Sequence, residues 1–276
     1  MVLFVQCFRK CTPCIKGDHM LGAIAGDVIG SVFEHQPLKS KDFPLFSPQS
    51  RFTDDTVLTV ATAFAILNGM DYGQAYKRFA RMYPWAGYGA TFFQWVQSEN
   101  SEPYNSWGNG SAMRVSPVGF AFGSIEEVLD QARKSAEVTH NHPEGVKGAQ
   151  ATALAVFLAR QGHNKKIIRL EIARRFGYDL NRSLDRIRPA YGFDVSCQGS
   201  VPEALICFFE STDYEDAVRN AVALGGDSDT LACIAGGVAQ AYYREIPRSI
   251  EFGTKALLPD KLLDVLARFE SRFMKL

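Results

Sequence analysis

Leu224-Gly225-Gly226-Asp227-Ser228-Asp229-Thr230, running straight into Leu231 to Tyr243, is the stretch whose reading decides the fold. The run from Leu231 is apolar and rich in small residues on every side, which is the pattern of a helix buried in the middle of a core. Further helices are expected along the chain. From Asp54, the residues Val57, Val60, Ala61, Phe64 and Leu67 recur at spacings of three and four, one helical face. Ala151, Leu154, Ala155 and Leu158 do the same after Gly148. Ala204, Leu205, Phe208 and Phe209 follow Pro202, which suits the first turn of a helix. Candidate strands are few and short. The expectation is an all-α protein.

A chain of 276 residues corresponds to one large domain or two small ones, and it is long enough to fold without disulfides or a structural metal. Neither a composition shift nor a repeat of fixed period marks a boundary, so one domain is expected over residues 20–276. Proline, glycine, serine and asparagine place loops at Gln36 to Arg51, Tyr83 to Gly110, His140 to Gly145 and Tyr191 to Val201. Thirty Lys and Arg balance thirty Asp and Glu, which leaves no field to steer nucleic acid or an anionic membrane. The apolar runs fall short of the ~18 residues of a membrane span, and Met1 to Val5 is too short for a secretory core. Six cysteines, unevenly spaced, make no disulfide scaffold and point to a reduced, cytoplasmic compartment. Residues 1–19 show no helical period and are expected to be a dispensable tail outside the domain. Their Cys7-x3-Cys11-x2-Cys14 matches the spacing of a radical iron–sulfur loop, but nothing downstream alternates strand and helix as the surrounding barrel requires.

Chemistry concentrates in two acidic clusters. Thr53-Asp54-Asp55-Thr56 opens one apolar helix and Asp227-Ser228-Asp229-Thr230 opens another. Helix capping would account for one carboxylate at each start. The second at each is in excess, because adjacent carboxylates repel unless a cation lies between them. Four carboxylates and two threonine hydroxyls, without thiolate or imidazole, suit Mg²⁺ or Mn²⁺ rather than Zn²⁺, and two facing helix starts have room for two ions. Glu34 is expected at the end of a helix carrying Ile24 and Val28. It is solvated if alone and a general acid or base if metals lie beside it. In Ser106-Trp107-Gly108-Asn109-Gly110-Ser111 the glycines expose backbone N–H groups able to receive a diphosphate, and Trp107 offers a face to a purine; an ordinary tight turn explains the same residues. His140 and His142 are two apart and lack a third zinc-like partner, so His140 is read as a hydrogen-bonding pocket residue or part of a turn.

Taken together these pieces resemble the ADP-ribosylglycohydrolases, the family that includes the dinitrogenase-reductase-activating glycohydrolase. The resemblance rests on Gly22-Ala23-Ile24-Ala25-Gly26-Asp27 through Glu34, Phe52-Thr53-Asp54-Asp55-Thr56, Gly108-Asn109-Gly110-Ser111-Ala112-Met113-Arg114, Thr139-His140, and Leu224 to Thr230, in family order. It implies a compact single-domain orthogonal helical bundle with a two-ion centre, Mg²⁺ or Mn²⁺, that releases ADP-ribose from a modified macromolecule or small conjugate. Thr53, Asp54, Asp55, Asp227, Asp229 and Thr230 would be the metal ligands. Catalysis would rest on Glu34 with Asp54 and Asp229, while Ser106, Trp107, Gly108, Asn109, Gly110 and His140 would line the ADP-ribose cleft. The dinitrogenase-reductase-activating relatives carry a further aspartate between the first acidic cluster and the glycine loop. The corresponding stretch here, Trp85 to Ala90, has no acid, which argues against an arginine-linked substrate. Two rivals remain at this point. A Mg²⁺-dependent phosphohydrolase would require cations facing the carboxylates, and only Arg51 is near them in sequence. A non-catalytic binding or structural relative would be free to lose its carboxylates, and this chain keeps every one.

Overall fold

The structure, a computed structural model, describes residues 20–100 and 102–274; the expected tail and its three cysteines lie outside the described residues. The chain runs through α1 (Gly22–Gly30), α2 (Asp54–Asn68), α3 (Tyr72–Met82), α4 (Ala90–Gln97) and α5 (Gly110–Met113). It continues through α6 (Ser116–Ala121), α7 (Ile125–Glu137), α8 (Pro143–Arg160), α9 (Lys165–Phe176) and α10 (Leu184–Ile187). The last five are α11 (Cys197–Phe209), α12 (Tyr214–Val222), α13 (Ser228–Tyr243), α14 (Arg248–Lys255) and α15 (Asp260–Phe273). The only β pairing among the described residues is an isolated bridge between Gly108 and Ser196. None of these helices is long and apolar enough to cross a membrane. The fold is an all-α bundle, as the sequence predicts.

The helix that decides the fold is its axis. Every residue of α13 up to Ala241 is buried, and α1, α5, α8, α11 and α12 pack around it. Its most extensive contact is with α1, itself buried from end to end. Glycine makes that pairing possible. A Cβ on Gly26 would lie 2.0 Å from the Ala232 carbonyl oxygen, and one on Gly30 would lie 2.5 Å from Cα of Asp229. Only hydrogen fits at that spacing, so the two backbones touch. This contact carries the start of α13 against the end of α1 and so brings the acidic clusters together.

Four local expectations change. Pro202 lies inside α11 rather than in its first turn, because Ser196 caps the helix upstream by accepting from Gly199 N at 3.0 Å; the proline gives up one backbone donor. The expected loop Tyr191 to Val201 therefore ends early. The expected loop Tyr83 to Gly110 contains α4, whose Phe92, Trp95 and Val96 fill an apolar face at helical spacing. Finally, α8 begins at Pro143 with His142 as its cap, so the His140 to Gly145 loop is also shorter.

Candidate active site

The site grows from Asp27, a fully buried carboxylate in α1 to which the sequence reading assigned no role. Its Oδ2 accepts from the backbone N–H groups of Thr53 at 2.9 Å and Thr56 at 3.0 Å, and its Oδ1 accepts from Thr53 Oγ1 at 2.7 Å. The Thr56 hydroxyl donates to Oδ2 as well. Asp27 thereby ties the first turn of α2 to α1. At that turn, Thr53 caps the helix through Asp55 N at 3.3 Å, and Asp54 N donates to the Ala86 carbonyl at 2.8 Å. Across the gap, Thr230 Oγ1 donates to Asp55 Oδ2 at 3.2 Å. The two helix starts face each other.

Capping does not use up these carboxylates. Asp227 occupies the cap position of α13 but makes no capping hydrogen bond; its Oδ2 accepts from Asn109 Nδ2 at 2.7 Å instead. Asp55 Oδ1 is buried without any hydrogen-bond partner. Glu34 does not end a helix. It follows the turn after α1, and one oxygen each of Glu34, Asp227 and Asp229 fall within 4.8 Å of one another. Among the described residues, no Lys or Arg pairs with any of these aspartates, and the ion partner of Glu34 is His35 at 3.7 Å.

The protonation energetics record the same deficit. Burial pushes Asp54 up to about 8, with Asp27 and Asp227 adding repulsion. Burial likewise raises Asp27 to about 6 against its four hydrogen bonds, and lifts Asp55 and Asp229 well above the ordinary carboxylate range. Asp227 and Glu34 move the same way for the same first reason. Carboxylates this crowded and dry need protons or a cation. An all-oxygen set with one orphaned oxygen fits a hard divalent ion.

All the residues expected to bind metal, substrate or protons line one cleft of about 640 Å³. Its other end is made of loops. The segment Ser106 to Gly110 is held by the α10–α11 connection: Asn109 N donates to Val195 O at 2.7 Å and Cys197 N donates to Trp107 O at 3.0 Å. Gly108 N donates to Ser106 Oγ at 3.1 Å. Of the two glycine N–H groups expected to receive a diphosphate, that of Gly108 is thus already engaged, and the Asn109 side chain supports Asp227 rather than standing free. His140 is buried beside Gly108 and Gly110, whereas His142 caps α8, so the two histidines share no ligand. Trp107, Phe193 and Trp85 are exposed aromatic groups on the rim. Phe193 and Trp85 carry no sequence signal of that role, since isolated aromatics in loops are common.

The family model for the ADP-ribosylglycohydrolases matches residues 18–273. The chain belongs to the ADP-ribosylglycohydrolase family. Curated members similar to it include the ADP-ribosylhydrolase ARH3 of Homo sapiens, 28% identical, with 83% of this chain and 86% of that protein aligned. ARH3 of Mus musculus is 27% identical over 83% of this chain and 84% of its own length. A solved structure described as an ADP-ribosylglycohydrolase-related protein complex superposes with a TM-score of 0.71 at 24% identity. It covers 92% of this chain and 96% of its own, and its likeness speaks to the fold. The order of family motifs along this sequence therefore reflects membership.

Proposed function

We propose that this protein is a hydrolase that releases ADP-ribose from an ADP-ribosylated target, with Mg²⁺ or Mn²⁺ as cofactor. The observation that carries the reading is the uncompensated cluster of Asp54, Asp55, Asp227 and Asp229 at one end of a cleft whose other end offers a glycine loop and an indole. The relatives named ADP-ribosylhydrolase support it. Thr53, Asp54, Asp55, Asp227, Asp229 and Thr230 would hold two ions. Divalent ions there supply Lewis-acid stabilisation to ribose hydroxyls and acidify water.

The chain's own residues account for the remaining steps. Cleaving a glycosidic bond at the distal ribose passes through an oxocarbenium-like state, which the surrounding carboxylates favour. Glu34, beside Asp227 and Asp229 and raised by burial, is placed to give or take the proton at the departing bond. Trp107 stacks the purine, and His140 donates to the nucleotide. The stretch Trp85 to Ala90 brings no acid of its own to the cleft and Arg51 lines the same cleft, so this wall adds no carboxylate for a cationic guanidine leaving group. Hydroxyl-linked or other uncharged leaving groups suit it better. A phosphohydrolase is disfavoured because Arg51 alone among the cleft's cations stands beside the acidic end; the Arg114 guanidinium is turned to Ser135 and Thr139.

Protein stripped with a chelator and reloaded with Mg²⁺ or Mn²⁺ tests this against serine-linked, arginine-linked and nucleic-acid-linked ADP-ribose. Free ADP-ribose is the expected product. Glu34→Gln should lower turnover by about 10²–10⁴ while ADP-ribose binding persists. No ADP-ribose from any substrate would overturn the reading.

A further inference from the structure

Arg114 is a buried cation without a counterion. It is 0% exposed, and among the described residues no carboxylate pairs with it. Its Nη2 donates to Ser135 O at 3.0 Å and to Thr139 Oγ1 at 2.8 Å, its guanidinium carbon lies 4.2 Å from the Tyr76 ring centroid, and Nε and Nη1 have no partner. Such a group is costly to keep unless its charge or its geometry serves something.

The service is visible one step further on. Thr139, also 0% exposed, places Oγ1 2.7 Å from His140 Nδ1. A guanidinium can only donate, so the threonine oxygen accepts from Arg114 and keeps one proton to give. We propose that Arg114 and Thr139 are positioning residues that hold His140 as the Nε2–H tautomer, so that a fixed, uncharged N–H donor faces the cleft. An imidazole whose Nδ1 accepts must carry its proton on Nε2. Nε2 is the atom beside the glycine loop: a Cβ on Gly110 would lie 3.2 Å from it and one on Gly108 3.6 Å. Glycine at both positions leaves that edge open. Burial, reinforced by the Arg114 charge, holds the ring well below its ordinary pKa, so it stays neutral. On the function proposed above, the acceptor is an oxygen of ADP-ribose, and a neutral donor binds it without titrating near pH 7.

Long-range ¹H–¹⁵N spectra of ligand-free protein carrying ¹⁵N-histidine decide the matter, with His140→Gln identifying the signal. His140 should be protonated at Nε2 and bare at Nδ1. Thr139→Val should let the Nδ1-protonated form appear and weaken ADP-ribose binding about tenfold, the effect of one lost hydrogen bond. Thr139→Ser should restore both. A wild-type ring protonated at Nδ1, or on both nitrogens at pH 7, overturns the proposal, and so does an unchanged tautomer in Thr139→Val. Should that variant not fold, the wild-type and Thr139→Ser spectra still decide it. ADP-ribose failing to bind the wild-type protein would strike the functional reading instead, because the tautomer is read without ligand.

Discussion

The two ends of the cleft are built in opposite ways. The acidic end is made of helix starts pressed into the core, with Asp27, Asp55 and Asp229 buried and the first two tied by threonine hydroxyls. The other end, where the nucleotide is proposed to lie, is made of loop segments that hold each other by backbone hydrogen bonds, and its aromatic groups face solvent, Trp107 at 47% and Phe193 at 59%. An ion site needs oxygens fixed in place before the ion arrives, and core helices fix them. A surface that must admit a bulky ligand is better made of loops on that scaffold. The difference implies that perturbing the first end should cost stability and perturbing the second should cost binding alone.

The largest effect on stability should come from the α1–α13 contact. Gly26→Ala puts a methyl group 2.0 Å from the Ala232 carbonyl oxygen, and backbone cannot swing aside as a side chain can. Forcing the helices apart should cost about 3 kcal/mol or more, or prevent folding, and it would also separate the acidic clusters. Denaturant unfolding measures the loss. A variant within 1 kcal/mol of wild type would mean that the helices are not in backbone contact.

Legibility in the sequence follows the same division. The apolar run after Leu231, and the acidic pairs at two helix starts, could be read because each breaks a local rule: a helix with no polar face, and more carboxylates than capping needs. The Gly22-x3-Gly26-x3-Gly30 spacing is equally visible, but its partner lies some two hundred residues away and no local rule points to it. Asp27 escaped notice for a related reason: one buried carboxylate in an apolar helix shows its purpose only when Thr53 and Thr56 are placed beside it. Pro202 misled because proline punctuates helices on average, whereas here Ser196 sets the start.

The second effect concerns pH. Asp27 at about 6 and Asp54 at about 8 both stand above the ~3.9 expected of the unfolded chain. Between about pH 4 and pH 8 the stripped native protein therefore binds more protons than the unfolded one, and its stability should fall as pH rises. A bound cation replaces those protons and removes the slope. Buried His140 works in the opposite sense below about 6.5, but it does so in both forms and drops out of their difference. Thermal melts of stripped and Mg²⁺-loaded protein across this range should diverge upward from pH 5. Parallel curves would mean that the acidic end holds no ion.

The smallest effect on stability, and the sharpest test of the contrast, belongs to Trp107→Ala. The Trp107 backbone holds the loop, its carbonyl accepting from Cys197 N at 3.0 Å, and that bond survives loss of the side chain. The indole is 47% exposed, so removing it uncovers little core and should change stability by less than about 0.5 kcal/mol. Stacking of a base on an aromatic ring is worth about 1–3 kcal/mol by alanine substitution, so affinity for ADP-ribose should fall roughly ten- to a hundredfold. ADP-ribose binding and thermal melting on the same preparation separate the two quantities. Unchanged affinity would take the purine away from Trp107 and leave Phe193 as the aromatic face to try next. A melting temperature several degrees lower would show the loop end to be as structural as the helix end, and the division between them would not hold.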